Sequence, residues 1–347
     1  MNHSTFDVGI VGLNHGVNTL MSAIVDLPKI NKIHLVGSQR SLGKQVEIET
    51  RKSEVISFSE MLLQPKIKVI FIASPPSTHL DLVSQVLARE IAVYCEKPGG
   101  ATTSELERMI QLSNSKKTPL AIGYQYRHDP YIQFIKKRMK NVKINQIQEI
   151  HIAWKTSSAL SNSRQIWKAN KELGGEVSRD FLIHVIDYLD FFLPTLFDTD
   201  NLEISKFTNA TIEYDHLHLN LKINNILLKI QISRFSSDGP SHNIKILGNR
   251  FSLIANRYFP FGLNDCDLII DDKKVFLKDM PEMEKEVDAI ISNERFGKNL
   301  QIYAASAFIQ EFLQSIFNQN IDWVYNLQKT LRITKVLDQI QMIKILD

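Results

Sequence analysis

The sequence predicts a chain in two parts: an α/β part built on a doubly wound parallel sheet, then an α+β part built on a large, mostly antiparallel open sheet. Three observations carry this. Up to about residue 123, short apolar runs alternate with stretches of helical spacing. From Leu202 to Val275 the text turns strand-like, broken by turn signals. The length of 347 residues is enough for two ordinary domains, each with its own core.

Taken in order, Val8-Gly9-Ile10-Val11 is a buried-type strand, and Val17 to Leu27 has helical spacing through Leu20, Met21, Ile24 and Leu27. The strand Ile33 to Val36 precedes a polar turn and a helical stretch, Leu42 to Arg51. A strand at Val69 to Ala73, a helix at Thr78 to Ala88 and a strand at Ile91 to Cys95 follow. Thr102 and Glu105 form a capping-box pattern that starts a helix running to about Asn114, and Leu120-Ala121-Ile122 is another short strand. Beyond Gly123, Ile147 to Trp154 predicts a strand, and Asp180 to Leu193 a helix with apolar Leu182, Ile186, Leu189 and Leu193. Asn224-Asn225, Gly248-Asn249 and Asp271-Asp272 punctuate the later strands. Helices at Ala304 to Phe317 and Leu327 to Ile345 close the chain.

Composition narrows the function. A formal charge of +3 gives no argument for nucleic acid, and Lys136-Lys137-Arg138 with Lys140 and Lys143 reads as a solvated helix face. Cys95 and Cys266 have no metal-ligand spacing and suit a reducing compartment. His216 and His218 share a strand face with Asn220 and Lys222, which explains them without a metal. Met1 to Asp7 lacks the pattern of a signal peptide, and no apolar run is long enough to cross a bilayer. The expectation is a cytoplasmic protein that binds neither nucleic acid nor membrane and holds no metal.

Two constellations carry chemistry. After the first strand comes Gly12-Leu13-Asn14-His15-Gly16-Val17, an imperfect version of the Rossmann phosphate loop. That loop uses glycines for a tight turn, close backbone approach and helix packing. Gly12 fits the first role, Asn14 replaces the second glycine, and Val17 stands where the third belongs, beside Gly16. His15 could touch a cofactor phosphate or point to solvent. At the end of the second strand, where a carboxylate would select NAD, the chain has Gly37-Ser38-Gln39-Arg40-Ser41. Neutral Gln39 and Arg40, able to pair a phosphate, tilt the choice towards NADP over NAD. A polar turn with Arg40 facing water is the alternative. Further on, Glu96-Lys97-Pro98 puts Lys97 just past the carboxyl end of a parallel strand, where open α/β sheets bind ligands. The run Leu173 to His184 sets Asp180 and His184 four apart on one helix face, with Asp187 near the same stripe and Gly174-Gly175 before them. A histidine suits removal of a hydroxyl proton as hydride leaves the same carbon.

Together these stretches resemble the Gfo/Idh/MocA oxidoreductases. The resemblance rests on Ser74-Pro75-Pro76-Ser77-Thr78-His79, Glu96-Lys97-Pro98, Gly123-Tyr124-Gln125-Tyr126-Arg127, the Gly174-to-Asp187 run and the ending Leu331 to Asp338. It implies a dinucleotide-binding domain over 1–123 and a substrate-binding and oligomerisation domain over 124–347, whose last helix can pack back on the first. It implies catalytic roles for Lys97, Asp180 and His184, with Pro98 in a cis peptide. Gly12, Asn14, His15, Gly16, Gln39, Arg40, Ser74, Pro75, His79, Glu96 and Lys97 would meet the cofactor. Tyr126, Arg127, Trp167 and Lys168, with Asp180 and His184, would line the substrate side. The departures are the glycine loop and Glu176, where a third glycine is usual.

The expected function is hydride transfer between NADP or NAD and a hydroxyl or keto carbon of a sugar, cyclitol or sugar derivative, in a homodimer or homotetramer paired through the C-terminal sheet. Lys155, Arg164 and Lys168 are candidate anchors for a phosphorylated or nucleotide-linked sugar, with solvent-facing basic residues as the alternative. A non-catalytic NAD(P)-binding regulator and an imine or non-sugar carbonyl reductase are the competing readings.

Overall fold

Continuous apolar runs can be satisfied only by strands buried on both faces, and the first sheet is of that kind. The computed structural model describes residues 5–13, 15–37, 52–156, 176–197, 204–206, 211–212, 216–234, 239–259, 261–318 and 323–343. The chain divides into two compact units: Met1–Gln125 with Glu172–Gly174 and Ala305–Leu331, and Tyr126–Lys171 with Gly175–Ala304 and Arg332–Asp347.

In the first unit six strands pair in parallel in the order β3-β2-β1-β4-β5-β6. They are β1 (Phe6–Val11), β2 (Ile30–Val36), β3 (Ser53–Val55), β4 (Ile67–Ile72), β5 (Ala92–Cys95) and β6 (Leu120–Ile122). Every residue of β1 and β5 is buried. The order reverses between β1 and β4, so their carboxyl ends form the crevice where such sheets take ligands. The helix expected at Val17 to Leu27 is shorter and wound differently: Gly16–Met21 is π-helical and runs into Ser22–Ile24. The wider turn keeps Gly16, Leu20 and Ile24, each four apart, on the buried side. Thr102 caps the helix Thr103–Lys116 by accepting from the Glu105 amide at 3.2 Å. The reciprocal half of the expected box is redirected, because the Glu105 carboxylate accepts from the Ala101 amide at 2.7 Å. Late in the helix Leu300–Phe317, Phe308 meets the Tyr94 ring edge-on at 5.7 Å and Phe317 packs on Phe6 at 5.1 Å. The helix expected at Leu42 to Arg51 lies outside the described residues.

The second unit is built on a sheet ordered β15-β14-β13-β12-β7-β11-β10-β8, with β9 (Thr211–Ile212) also on β10. Its strands are β7 (Ile147–Lys155), β8 (Ile204–Lys206), β10 (His216–Ile223), β11 (Ile226–Ser233), β12 (Ser241–Gly248), β13 (Ser252–Tyr258), β14 (Cys266–Ile270) and β15 (Lys273–Val275). All neighbours are antiparallel except β7 and β11. Strict alternation sends Leu217, Leu219, Leu221 and Ile223 inward and leaves His216, His218 and Lys222 exposed. Asn224-Asn225 closes the β10–β11 hairpin, and Asp271 and Asp272 both take positive φ in the turn between β14 and β15. The helix Ile183–Phe192 is buried along nearly its whole length. No helix among the described residues is long and apolar enough to cross a membrane.

Gly12 fixes the crossing of the loops after β1 and β4. Its φ is +98°, and a Cβ there would lie 2.5 Å from the Ala73 carbonyl oxygen. Gly12→Ala should therefore lower stability by about 1–3 kcal/mol, read as a reduced midpoint in urea unfolding.

Candidate active site

At the switch point of the first sheet, the Gly12 amide donates to the Val36 carbonyl at 2.9 Å, which draws the loop tightly over the strand ends. A Cβ on Gly16 would meet Ile10 Cγ2 at 2.7 Å, so Gly16, and not half-buried Val17, supplies the close helix–strand approach. Both features suit a dinucleotide loop, in which a tight turn delivers backbone amides to a pyrophosphate. His15 leads from this loop to the end of β5, with its Nε2 3.3 Å from Glu96 Oε1. The Tyr94 hydroxyl donates to the same oxygen at 3.2 Å. Gly123 makes room for them, since a Cβ there would lie 2.5 Å from Tyr94 Oη and 3.1 Å from Glu96 Oε1. Burial alone would raise the Glu96 carboxyl; the charge and hydrogen bond of His15, then Lys97 and the Tyr94 hydroxyl, outweigh it and hold it below the usual carboxylate range. Lys97 follows, half-buried, ahead of a cis bond to Pro98.

His79 departs from the expectation that it meets the cofactor. It is fully buried, with Nδ1 3.1 Å from the Pro98 carbonyl oxygen and Nε2 2.8 Å from that of Ser74. Its ring bridges the loop after β4 and the turn after β5, which makes it a positioning residue. Ser74 and Pro75 form the connecting turn, with Ser74 Oγ 2.6 Å from Thr78 Oγ1, whose hydroxyl donates to the Pro75 carbonyl at 2.8 Å.

In the second unit the π-helical segment Ser178–Leu182 passes into the helix Ile183–Phe192, and the two carry Asp180, His184, Asp187 and Asp190. Such wide turns recur at functional sites. Arg234 Nη2 donates to Asp180 Oδ2 at 3.2 Å. Arg127 donates from Nε to Asp187 Oδ1 at 2.9 Å, and Arg332 pairs with Asp190. Arg127, expected on the substrate side, is thus a buried structural partner of Asp187. His184 lies edge-on to Tyr126, ring centroids 4.7 Å apart, and 6.0 Å from Trp154. The Tyr126 hydroxyl accepts from Gln301 Nε2 at 3.0 Å; burial raises its pKa, so it stays a phenol. Trp154 stacks on His242 at 4.3 Å, and His242 Nε2 is 3.1 Å from the Tyr188 hydroxyl. Burial, then the Arg257 charge, push His242 far below its ordinary value, so it is neutral.

Residues 6–124 match the model of an oxidoreductase family with an NAD-binding Rossmann fold, GFO_IDH_MocA. Over that segment the chain is similar to the Gfo/Idh/MocA oxidoreductases. It is 23% identical over 202 residues to inositol 2-dehydrogenase of Rhizobium meliloti, covering 57% of this chain and 59% of that one. It is 26% identical over 148 residues to glucose-6-phosphate 3-dehydrogenase of Bacillus subtilis, 42% of each chain. These alignments span less than two thirds of either relative. The fold matches that of KijD10, a 3-ketoreductase from Actinomadura kijaniata in complex with NADP and TDP-benzene, with a TM-score of 0.73 at 14% identity, over 96% of both chains.

Five expected site positions, Asn14, Gln39, Arg40, Trp167 and Lys168, lie outside the described residues. Sequence reasoning missed Arg234, His242 and Arg257 as site residues, and placed Trp154 only at the end of a strand. A signal was present. On β7, β12 and β13 the inward series Ile150-Ile152-Trp154, Ile246-Ile244-His242 and Leu253-Ala255-Arg257 each end in a polar or aromatic group. Pairing sets Trp154, His242 and Arg257 side by side in one row. Cavities of about 110 and 410 Å³ adjoin the loop near Leu263 and Asn264, lined by neither Lys97 nor His184.

Glu96 supplies a pH test. Its folded pKa is depressed, so its contribution is complete above the unfolded value and is lost as pH falls through the folded one. Glu96→Gln should cost about 1–3 kcal/mol at neutral pH, and the difference from wild type should close in acid. Urea unfolding across a pH series checks this.

Proposed function

We propose that the protein is an NAD(P)-dependent oxidoreductase acting on a hydroxyl or keto carbon of a sugar, cyclitol or sugar derivative. The observation that carries the reading is His184, buried edge-on to Tyr126 and tilted against Trp154, with Asp180 preceding it on the same helical run. The match of residues 6–124 to the oxidoreductase family model and the partial alignments to sugar and inositol dehydrogenases support it. Gly12, His15 and Gly16 would hold the dinucleotide at the crevice between β1 and β4, and the nicotinamide, when bound, supplies the acceptor or donor of hydride. His184 takes the hydroxyl proton as hydride leaves the carbinol carbon, and returns it in the reverse reduction. Lys97 hydrogen-bonds the reacting oxygen, and Asp180 orients substrate and imidazole. Residues 1–123 serve the cofactor and 124–347 the substrate and self-association. Arg40 favours NADP over NAD. The two cysteines, neither in a disulfide, fit a cytoplasmic location.

His184→Ala and Lys97→Ala should each reduce turnover by about 100-fold or more. The assay is absorbance of reduced nicotinamide, with a panel of sugars, cyclitols and sugar phosphates offered with NAD or NADP. Circular dichroism should be unchanged. Wild-type rates in both variants would overturn the mechanism. Tight NAD(P) binding without redox change across the panel would instead support a regulator. Mass spectrometry of small molecules released from the purified protein identifies the bound nucleotide.

Self-association should occur through the outer face of the second sheet, where β10, β11, β7 and β12 present a half-exposed surface. Light scattering after size exclusion should give a dimer or tetramer, and Ala153→Arg at the centre of that face should shift it to monomer.

A further inference from the structure

Arg234 occupies the next inward position after Ile226, Leu228, Ile230 and Ile232, and only 1% of its surface is exposed. A guanidinium at that depth is costly unless its charge is met. Asp180 meets it: Nη2 donates to Oδ2 at 3.2 Å, and the guanidinium stands 5.8 Å from the centre of the Phe181 ring. Asp180 is buried as well, four residues before His184.

Among the described residues, charged and titratable groups face His184 from four directions. Asp180 lies on its own helical run, with Arg234 following β11. Tyr126 presents its ring edge and senses both Arg257 and Asp180. Arg257 on β13 has its counterion in Asp129, with Nη2 3.0 Å from Oδ2. His242 on β12 is neutral. The pair that adjoins His184 along the helix is therefore Asp180 with Arg234. A buried carboxylate that lacked this cation would draw a proton onto the nearest base.

We propose that Arg234 is a positioning residue of this site: it fixes the Asp180 carboxylate beside His184 and takes up its charge, so that Asp180 does not lock the imidazole as a permanent ion pair. His184 is thereby left able both to gain and to release a proton. The inference rests on the reading of His184 as the proton carrier.

The test is titration of the His184 ring by NMR in the substrate-free protein, using 15N-labelled histidine and His184→Ala for assignment. In Arg234→Met the midpoint should rise by about one pH unit or more, a tenfold gain in proton affinity. Arg234→Lys, which keeps the cation, should stay near wild type. Asp180→Asn with Arg234→Met, which removes both charges, should restore the wild-type midpoint. An unchanged midpoint in folded Arg234→Met, or an equal rise in Arg234→Lys, overturns the proposal. Should Arg234→Met not fold, Asp180→Asn gives the converse: a lowered midpoint supports the proposal, and an unchanged or raised one overturns it. The acid limb of kcat/KM, with the substrate and nicotinamide cofactor that give turnover in the panel, should move with the midpoint. If wild type shows no turnover with any substrate while the ring titration shifts as stated, the oxidoreductase reading fails and the electrostatic role of Arg234 stands.

Discussion

Three aspartates on one buried helical run, each held by an arginine from a different element, are the constraint on which the second unit depends. Asp180 is met by Arg234 at the end of β11, Asp187 by Arg127 before the helix Pro130–Met139, and Asp190 by Arg332 in the helix Trp323–Ile343. Arg179 adds a fourth tie in the opposite sense, donating to Asp338 at 3.0 Å. Apolar packing alone would let a helix such as Ile183–Phe192 slide or rotate among near-equivalent seats. Paired charges at fixed azimuths do not allow that. Breaking one buried pair by removing a partner costs about 3–5 kcal/mol. Arginine suits the task because its planar fork bonds a carboxylate from fixed directions. With the azimuth fixed, His184 faces Tyr126 and Trp154, and Tyr188 reaches His242.

The first unit solves a different problem, which is to bring several strand ends together without filling the crevice. It does so by omission and by bridging. Gly12, Gly16 and Gly123 remove side chains where neighbours come within 2.5–2.7 Å of a would-be Cβ. His79 and Glu96 then join what the glycines bring near, the first through two carbonyl oxygens and the second through His15 and Tyr94. Lys97 sits between these two bridges in sequence, so its backbone is held from both sides.

Elements whose cause is local were legible in the sequence. The β10–β11 hairpin follows from alternating Leu217, Leu219 and Leu221 with Asn224-Asn225, and the parallel sheet from its alternation with helices. What could not be read depends on partners distant in the chain. Arg127 and Asp187 stand 60 residues apart, and nothing near Arg127 distinguishes a ligand-facing guanidinium from a buried counterion. His79 looked like a cofactor contact because it belongs to a motif, whereas its two carbonyl partners bury it. The π winding at Gly16–Met21 and Ser178–Leu182 has no signature in apolar spacing, because a spacing of four fits either turn.

Glu176 shows how a backbone state that favours glycine can carry a side chain: its φ is +112°. Strain of about 1–2 kcal/mol is the expected cost of a side chain there. The carboxylate offsets part of it: Oε2 accepts from Ser178 Oγ at 3.2 Å and from Gln341 Nε2 at 3.3 Å, and Gln341 also donates to Ser178 Oγ at 2.8 Å. The Glu176 carbonyl meanwhile accepts from the Asp180 amide at 2.9 Å. Glu176 therefore gives the entry to the His184 helix a glycine-like backbone and ties it to the C-terminal helix. Its physical consequence lies in how firmly Asp180 and His184 are seated, and the crevice between β1 and β4 is built from other residues.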